Sequence, residues 1–437
     1  MKQRITAYLD AHMDELAGYL SELVRTPSIN LGVPDTCDER EMAVLVKKTF
    51  DGMGLTTSVI SVDKDNIRPN VIGVLKGEGG GESILLNAHM DTVPITDEEK
   101  WTYPPLSGKI VDGKVFGRGS CDNKQGIAAM TYAVKALQSA GAKLSGDVIL
   151  LASAGEESCE GGICGPGPAI RRGGISASFA VVCEGSAMDL YVASSSLCFF
   201  ELVITGKAIH VSSRNRAIFP QPHTVKCGSE VGVDALEKAL PIIEMLYRKE
   251  RDWNTNTMRS NIVGAGGYPT HDKVGVGAFT INPCSIKGGT YLGSMPGEVR
   301  ITYSVWHDNT ISMELIKAEI ERDVQAIAST DSWLREHPPV INMPILQTWP
   351  GYNTDMNHPG VQQLIKNFEE ITGRQPIITG LTAVDDATFI NMQGIPSVTI
   401  GPGGLENGVH GTNEYCGIQE LVEAAKLYAY MILDWCR

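Results

Sequence analysis

Two histidines and a set of carboxylates in this chain have the types and placement to collect a metal ion: His89, Asp91, Asp122, the adjacent Glu156 and Glu157, Glu184 and His410. Most stand just after a short apolar run. Residues 84–86 lead to His89, 148–151 to Glu156 and Glu157, 179–182 to Glu184, and 398–400, through a glycine loop, to His410. Asp122 opens a helical pattern after Gly117-Arg118-Gly119. Runs of this length read as buried strands, and in open α/β sheets ligands gather beyond the strand carboxyl ends. Two imidazoles and three carboxylates, with no thiolate, suit zinc and also cobalt or manganese. One carboxylate bridging two metals would give each metal three protein ligands and leave room for a shared hydroxide. Asp91 is placed to hydrogen-bond the far nitrogen of a ligating His89 and fix its tautomer. If one of Glu156 and Glu157 is a ligand, the other is left to take a proton from water.

The elements that would position these residues are legible as patterns. Ile5, Tyr8, Leu9, Leu16, Leu20 and Leu23 recur at helical spacing before Pro27, so one surface helix is expected at the start. Ile127, Met130, Ala133, Val134 and Leu137 repeat that spacing after Asp122. Helices alternating with short apolar strands argue for an α/β sheet with helices on its faces. From about Ser195 to Trp349 the style changes: 198–204 and 299–305 alternate as half-exposed strands, while 235–247 and 312–328 read as amphipathic helices. This predicts a smaller α+β domain, residues 195–349, inserted into a discontinuous domain of residues 1–194 and 350–437. Residues 215–230, with Pro220 and Pro222 and no apolar period, read as a long loop.

At 437 residues and 43% hydrophobic content the chain exceeds what one core usually supports. A net charge of −14 without a Lys/Arg cluster disfavours a nucleic-acid partner and favours a small molecule. No run approaches the ~18 apolar residues of a membrane span, and the N-terminus is not a secretory pattern, so no membrane partner and a cytoplasmic location are expected. Ten cysteines show no CxxC pair and read as mostly reduced, packed thiols, including Cys121 and Cys183 beside the candidate ligands.

The motifs are His89-Met90-Asp91-Thr92-Val93-Pro94, Gly117-Arg118-Gly119-Ser120-Cys121-Asp122 with Lys124, Glu156-Glu157 before Gly161-Gly162, and His410-Gly411-Thr412-Asn413-Glu414. In this order they resemble the di-zinc hydrolases that include aminoacylase, acetylornithine deacetylase, succinyl-diaminopimelate desuccinylase and carboxypeptidase G. The resemblance runs from the first helix to the C-terminus. It implies a zinc-peptidase-like catalytic domain, a mixed sheet flanked by helices, with an inserted dimerisation and lid domain. It implies two divalent ions per chain, zinc first and cobalt or manganese as alternatives, with His89, Asp122 and Glu184 on one and Asp122, Glu157 and His410 on the other. Glu156 would be the general base for hydroxide attack on the amide of an N-acyl amino acid or related N-acyl amine. The family's second domain commonly forms a homodimer and lends a histidine to the partner's site; Gly206-Lys207-Ala208-Ile209-His210 matches that context, which makes His210 an oxyanion stabiliser in trans.

The chain departs from the family at Gly185, where proline is common, and in the segment 212–231, which is longer than expected. The Asn and Arg that commonly contact a substrate carboxylate are also missing: Gly288-Gly289, Gly293 and Pro296 are followed by Trp306 and His307. His307, Arg300 and Gly403 are therefore candidate substrate contacts. A dipeptidase or carboxypeptidase would use the same machinery, a binding protein on the same scaffold is a third reading, and a cysteine-nucleophile hydrolase a weak fourth. Taken singly, each of these histidines and acids is an ordinary loop or surface residue; order and strand context single them out. His12, His223, His271, His337 and His358 have no such context and read as ordinary.

Overall fold

The computed structural model describes residues 1–29, 38–62, 68–222, 225–257, 279–309, 311–346 and 348–437; Cys37, His223 and His271 lie outside them. It divides into two compact units, one of Met1–Ser194, Tyr352–Leu381 and Asp385–Arg437, the other of Ser195–Gly351 and Thr382–Val384.

The larger unit is built on an eight-stranded sheet in the order Thr56–Ser61, Pro69–Leu75, Val148–Ser153, Ile84–His89, Phe179–Val182, Ser397–Thr399, Leu190–Ser194, Ile378–Leu381. Ile84–His89 pairs in parallel with both neighbours, whereas Pro69–Leu75 runs antiparallel to Val148–Ser153, so the sheet is mixed. Every residue of Ile84–His89, Val148–Ser153 and Phe179–Val182 is buried, which explains why they appear as unbroken apolar runs rather than alternating ones. Leu85, Ile149, Leu151, Ala180 and Val182 share one cluster with Ala169, Ile170, Ala387 and Ile390 of the helices Pro166–Gly173 and Ala387–Asn391. The helix Lys124–Ala140 packs on strand Ile84–His89 and on the helices Lys2–Ala11, Met13–Arg25 and Ile418–Trp435. A small third sheet joins Lys109–Val111, Lys114–Phe116 and Tyr415–Gly417, and so brings the residues before Asp122 beside those after His410.

The smaller unit is a four-stranded antiparallel sheet, in the order Thr280–Gly288, Glu298–His307, Ser196–Thr205, Val340–Asn342, with the helices Ala235–Asp252 and Met313–Ser329 sharing its core. Its alternation is that of a half-buried sheet: Phe200, Leu202 and Ile204 meet Val299, Ile301, Tyr303 and Val305 in the core.

Two sequence expectations need correction. The opening helix is two, Lys2–Ala11 and Met13–Arg25, broken at His12, and the apolar stripe is buried rather than superficial. The expected loop 215–230 contains most of a short helix, Arg214–Ile218, and the single turn Gly228–Glu230, both too brief to show an apolar period. Among the described residues no helix is long and apolar enough to cross a membrane.

Gly126 marks the closest approach of helix to sheet, since a Cβ there would stand 2.0 Å from the Cys183 carbonyl oxygen and 2.9 Å from Ala88 Cβ. Helix propensity alone would make Gly126→Ala stabilising by about 1 kcal/mol. Because the obstacle is backbone, we expect the opposite sign, a loss of about 1–3 kcal/mol of overpacking strain, read from urea unfolding. An unchanged or raised midpoint would show that this contact is slack.

Candidate metal centre

His89 ends its strand fully buried, with Nδ1 3.0 Å from the Asp91 carbonyl oxygen and Nε2 3.0 Å from Asp122 Oδ1. The Asp91 carbonyl accepts the Nδ1–H, which leaves Nε2 to donate to Asp122 when the ring is protonated or to offer its lone pair to a cation when it is neutral. Asp91 is the residue the sequence placed at this nitrogen, and it serves through its main-chain carbonyl, its carboxylate standing 3.6 Å from Nδ1. That carboxylate is committed to the backbone N–H groups of Glu156, at 3.2 Å, and Glu157, at 3.0 Å. Asp91 therefore orients His89 through its main chain and the Glu156-Glu157 turn through its side chain.

Around Asp122 two ligand sets converge. One oxygen or nitrogen from each of His89, Asp122 and Glu184 lies within 4.8 Å of the others, and the same holds for Asp122, Glu157 and His410. His410 Nε2 is 3.2 Å from Asp122 Oδ2 and 3.0 Å from Glu157 Oε2. Asp122 belongs to both sets, and Glu156 to neither. Glu157 Oε1 and Glu184 Oε2 are buried without a hydrogen-bond partner, a costly state for a carboxylate oxygen unless a cation meets it. The donor set thus fits two divalent ions bridged by Asp122, held by imidazole and carboxylate alone.

Charge crowding gives the same picture. Burial opposes ionisation of Asp122, but hydrogen bonds from His410 and His89 outweigh it and hold the carboxyl well below the usual range. Burial, reinforced by Asp122, pushes Glu157 up to about 7. Burial also raises Glu184 and Glu156 well above the ordinary value; His89 offsets part of this in both, while Asp122 adds to it at Glu184, and Glu184 and Glu157 add to it at Glu156. His410 is drawn up to about 10 by its hydrogen bonds to Asp122 and Glu157.

The two loops are joined by Glu414. Its buried carboxylate accepts the N–H groups of Cys121 at 2.8 Å, Asp122 at 3.1 Å and Gly119 at 3.1 Å, and that of Arg118 Nη1 at 2.6 Å. Arg118 Nη2 donates to the Gly411 carbonyl at 2.8 Å. Near Glu184, Gly401 is required because a Cβ would stand 2.5 Å from the Glu184 carbonyl oxygen. Gly403 turns at φ 73 and donates its N–H to Glu420, so this candidate substrate contact has its N–H already engaged.

Of the other candidates, three lie in the smaller unit. His210 is exposed, with Nδ1 2.8 Å from Ser212 Oγ. His307 ends strand Glu298–His307, is buried with Nδ1 3.0 Å from the Asp308 carbonyl oxygen, and is shifted down by burial. Arg300 is bound by Glu298 at 2.7 Å and Glu201 at 3.0 Å. His12, His337 and His358 stack on Tyr8, Trp333 and Phe179. Sequence reasoning missed Asp385 and Asp386, buried acids in the larger unit. Asp386 Oδ2 accepts from Ser153 Oγ at 2.5 Å, its Oδ1 has no partner, and burial raises it to about 7. The available signal was an adjacent acid pair after the run 378–381, the same pattern as at Glu156 and Glu157.

Comparison with known proteins adds the following. A sequence model described as peptidase family M20/M25/M40 matches residues 85–434. The chain is 31% identical over 388 residues, 86% of either chain, to N-formyl-4-amino-5-aminomethyl-2-methylpyrimidine deformylase of Bacillus subtilis (strain 168). It is 27% identical to the protein of the same name from Halalkalibacterium halodurans, with 99% of this chain and 97% of that one covered. Among solved structures, a dinuclear metal-binding peptidase of the M20 family from Bacillus subtilis shares the fold at a TM-score of 0.61 and 17% identity, covering 98% of this chain and 99% of that one.

The crowding of acids predicts how the metal-free protein responds to pH. Glu157, raised from 4.5 to about 7, contributes stability fully below about pH 4.5 and loses it as pH rises through about 7. His410, raised from 6.5 to about 10, adds a loss in the same direction above pH 6.5. Urea midpoints of chelated protein should therefore fall between pH 5 and pH 8. Divalent ion at 100-fold its dissociation constant should restore about 2.7 kcal/mol at pH 8. A flat metal-free profile with no gain from zinc, cobalt or manganese would mean that these carboxylates are not a cation site.

Proposed function

The chain belongs to peptidase family M20/M25/M40, and from that premise we propose that it hydrolyses the amide bond of a small N-acyl amine, with a leaving amine that bears no carboxylate. The observation that carries this is the shared Asp122 between two ligand sets, with Glu156, on which the charges of His89, Glu184 and Glu157 act, part of neither. His89, Asp122 and Glu184 would hold one ion, and Asp122, Glu157 and His410 the other. We place zinc there on its preference for imidazole and carboxylate; cobalt and manganese accept the same donors. Such ions supply Lewis acidity for the amide carbonyl and for water. Glu156 takes the proton of the attacking water and delivers it to the amine nitrogen, while Asp91 holds its main chain in place.

The leaving group follows from what a carboxylate would lack. The family's usual Arg is replaced around Trp306 and His307, His307 is buried and shifted toward its neutral form, and Arg300 already serves two glutamates. Both deformylase relatives are named for a substrate whose amine is an aminomethylpyrimidine, which carries no carboxylate. A dipeptidase or carboxypeptidase fits less well, since its product amine or amino acid ends in one. The nine described cysteines are free thiols, in keeping with a reducing compartment, and we place the protein in the cytoplasm.

We further propose a homodimer through the smaller unit, with His210 stabilising the oxyanion in the partner's site. In its support, the ring of His210 is fixed at Nδ1 by Ser212, and Leu236, Leu240 and Tyr247 line an exposed helix stripe completed by half-buried Ile243.

A panel of N-formyl, N-acetyl and N-succinyl amines, including the N-formyl aminomethylpyrimidine, set against dipeptides tests the substrate class; faster cleavage of a dipeptide would favour the peptidase reading. On the best substrate Glu156→Gln should keep its metal and lose at least ~10²–10⁴-fold in kcat. The dimer is tested by mixing Glu156→Gln and His210→Ala chains, each inactive alone. Random pairing in a twofold dimer restores about a quarter of wild-type activity if the histidine acts in trans, and no recovery despite dimers by sedimentation removes that role.

A further inference from the structure

The turn that presents Glu156 and Glu157 spans residues 154–160, and the side chains of three residues grip it. Asp91 takes the two glutamate N–H groups, and Asn70 accepts the Ala154 N–H at 3.2 Å while donating to the Cys164 carbonyl at 2.6 Å. The remaining grip comes from Arg68, a buried residue just before the strand Pro69–Leu75. Its Nη2 donates to Ser158 Oγ at 3.0 Å, its Nη1 to Glu160 Oε2 at 2.6 Å, and its Nε to Glu39 Oε1 at 3.0 Å. The Arg68 side chain is 5% exposed and Glu39 1%, so the guanidinium is itself anchored on a buried carboxyl group.

The turn lies directly on this group. Gly155 adopts φ 79, and a Cβ there would stand 3.0 Å from Arg68 Nη2 and 2.5 Å from Cys164 Sγ. The turn is closed by N–H donation from Cys159 to the Glu156 carbonyl at 3.0 Å and from Glu160 to the Gly155 carbonyl at 2.9 Å. A displacement of Ser158 or Glu160 is therefore passed to the peptide that carries the Glu156 carboxylate.

We propose that Arg68 is a positioning residue: braced on Glu39, it holds Ser158 and Glu160 so that Glu156 meets the attacking water at the right place, and it thereby sets turnover rather than substrate affinity. This rests on the reading of Glu156 as general base. Planar donors in a fixed fork suit the task, because they fix two side chains of one turn at once. Misplacing a reacting group by about 1 Å can cost on the order of 10²-fold in rate.

The test removes the grip from both sides. Glu39→Gln with Arg68→Met takes away the cation together with its buried carboxyl partner, so that only the partly exposed Glu160 loses a pairing. Ser158→Ala with Glu160→Ala cuts the same contacts from the half-buried turn and leaves the guanidinium seated on Glu39. Each double variant should keep the wild-type metal content and KM while kcat falls, by ~10–100-fold in the first and less in the second. Wild-type kcat in the folded, metal-loaded first variant overturns the proposal, as does a loss of metal that accounts for the lost activity. If the first variant does not fold, wild-type kcat in the second overturns it. Glu156→Gln separates the two readings: if it too turns over normally, the base assignment has failed, whereas an inactive Glu156→Gln beside fully active double variants removes Arg68 alone.

Discussion

Glu414 carries a carboxylate that does not reach water, and its oxygens accept hydrogen bonds from three successive parts of the Asp122 loop and from Arg118. Burial raises its pKa while Arg118 and the backbone donors work against that shift. Hydrogen bonds to a charged group contribute about 1.5–3 kcal/mol each, and a buried ion pair that loses one partner costs about 3–5 kcal/mol. This single group therefore fixes the distance between Asp122, common to both clusters, and the loop of His410, which approach from positions almost three hundred residues apart in sequence. Without it the two ligand sets would have no common frame.

On that frame the larger unit gathers an excess of negative charge. Glu156, Glu157, Glu184, Asp385 and Asp386 are all raised by burial, at all but Asp385 a neighbouring carboxylate adds to the shift, and Glu157 Oε1 and Glu184 Oε2 have no donor. Nothing in the apolar core rewards such an arrangement. It is sustained by packing around it: strands buried on both faces, a helix brought within contact of the Cys183 carbonyl by Gly126, and glycines at 155 and 401 where a side chain would collide with backbone or thiol. Stability held by the rest of the fold is here committed to a site that becomes comfortable only with cations present.

How much of this could be read from residues depended on whether the cause was local. The central strands were legible because burial on both faces leaves an uninterrupted apolar run, and the clustered His89, Glu157 and Glu184 because they follow those runs closely. The smaller unit was legible by its period-two alternation. What failed was set by distance. His12 breaks the first helix without a proline or glycine to announce it. Asp91 sits two residues past His89, yet its carboxylate turns to the backbone of residues 156 and 157, a choice visible only once the strands are side by side. Arg68 and Glu39 gave no signal, since a charged residue between apolar runs looks like surface until Glu160 and Ser158 are brought against it.

The crossing points of the inserted segment have their own consequence. In the larger unit the Ser194 N–H donates to the Tyr352 carbonyl at 3.1 Å, and in the smaller one Leu197 and Trp349 exchange both backbone hydrogen bonds, at 2.8 and 2.9 Å. In this longer of its two excursions, the other being Thr382–Val384, the chain leaves the larger unit and returns to it at adjoining residues, and each unit closes its own hydrogen bonding there. Because the two ends of the segment are already neighbours, its length lies outside the hydrogen-bond ladder of the larger sheet, and changes within it act on its own four-stranded sheet first.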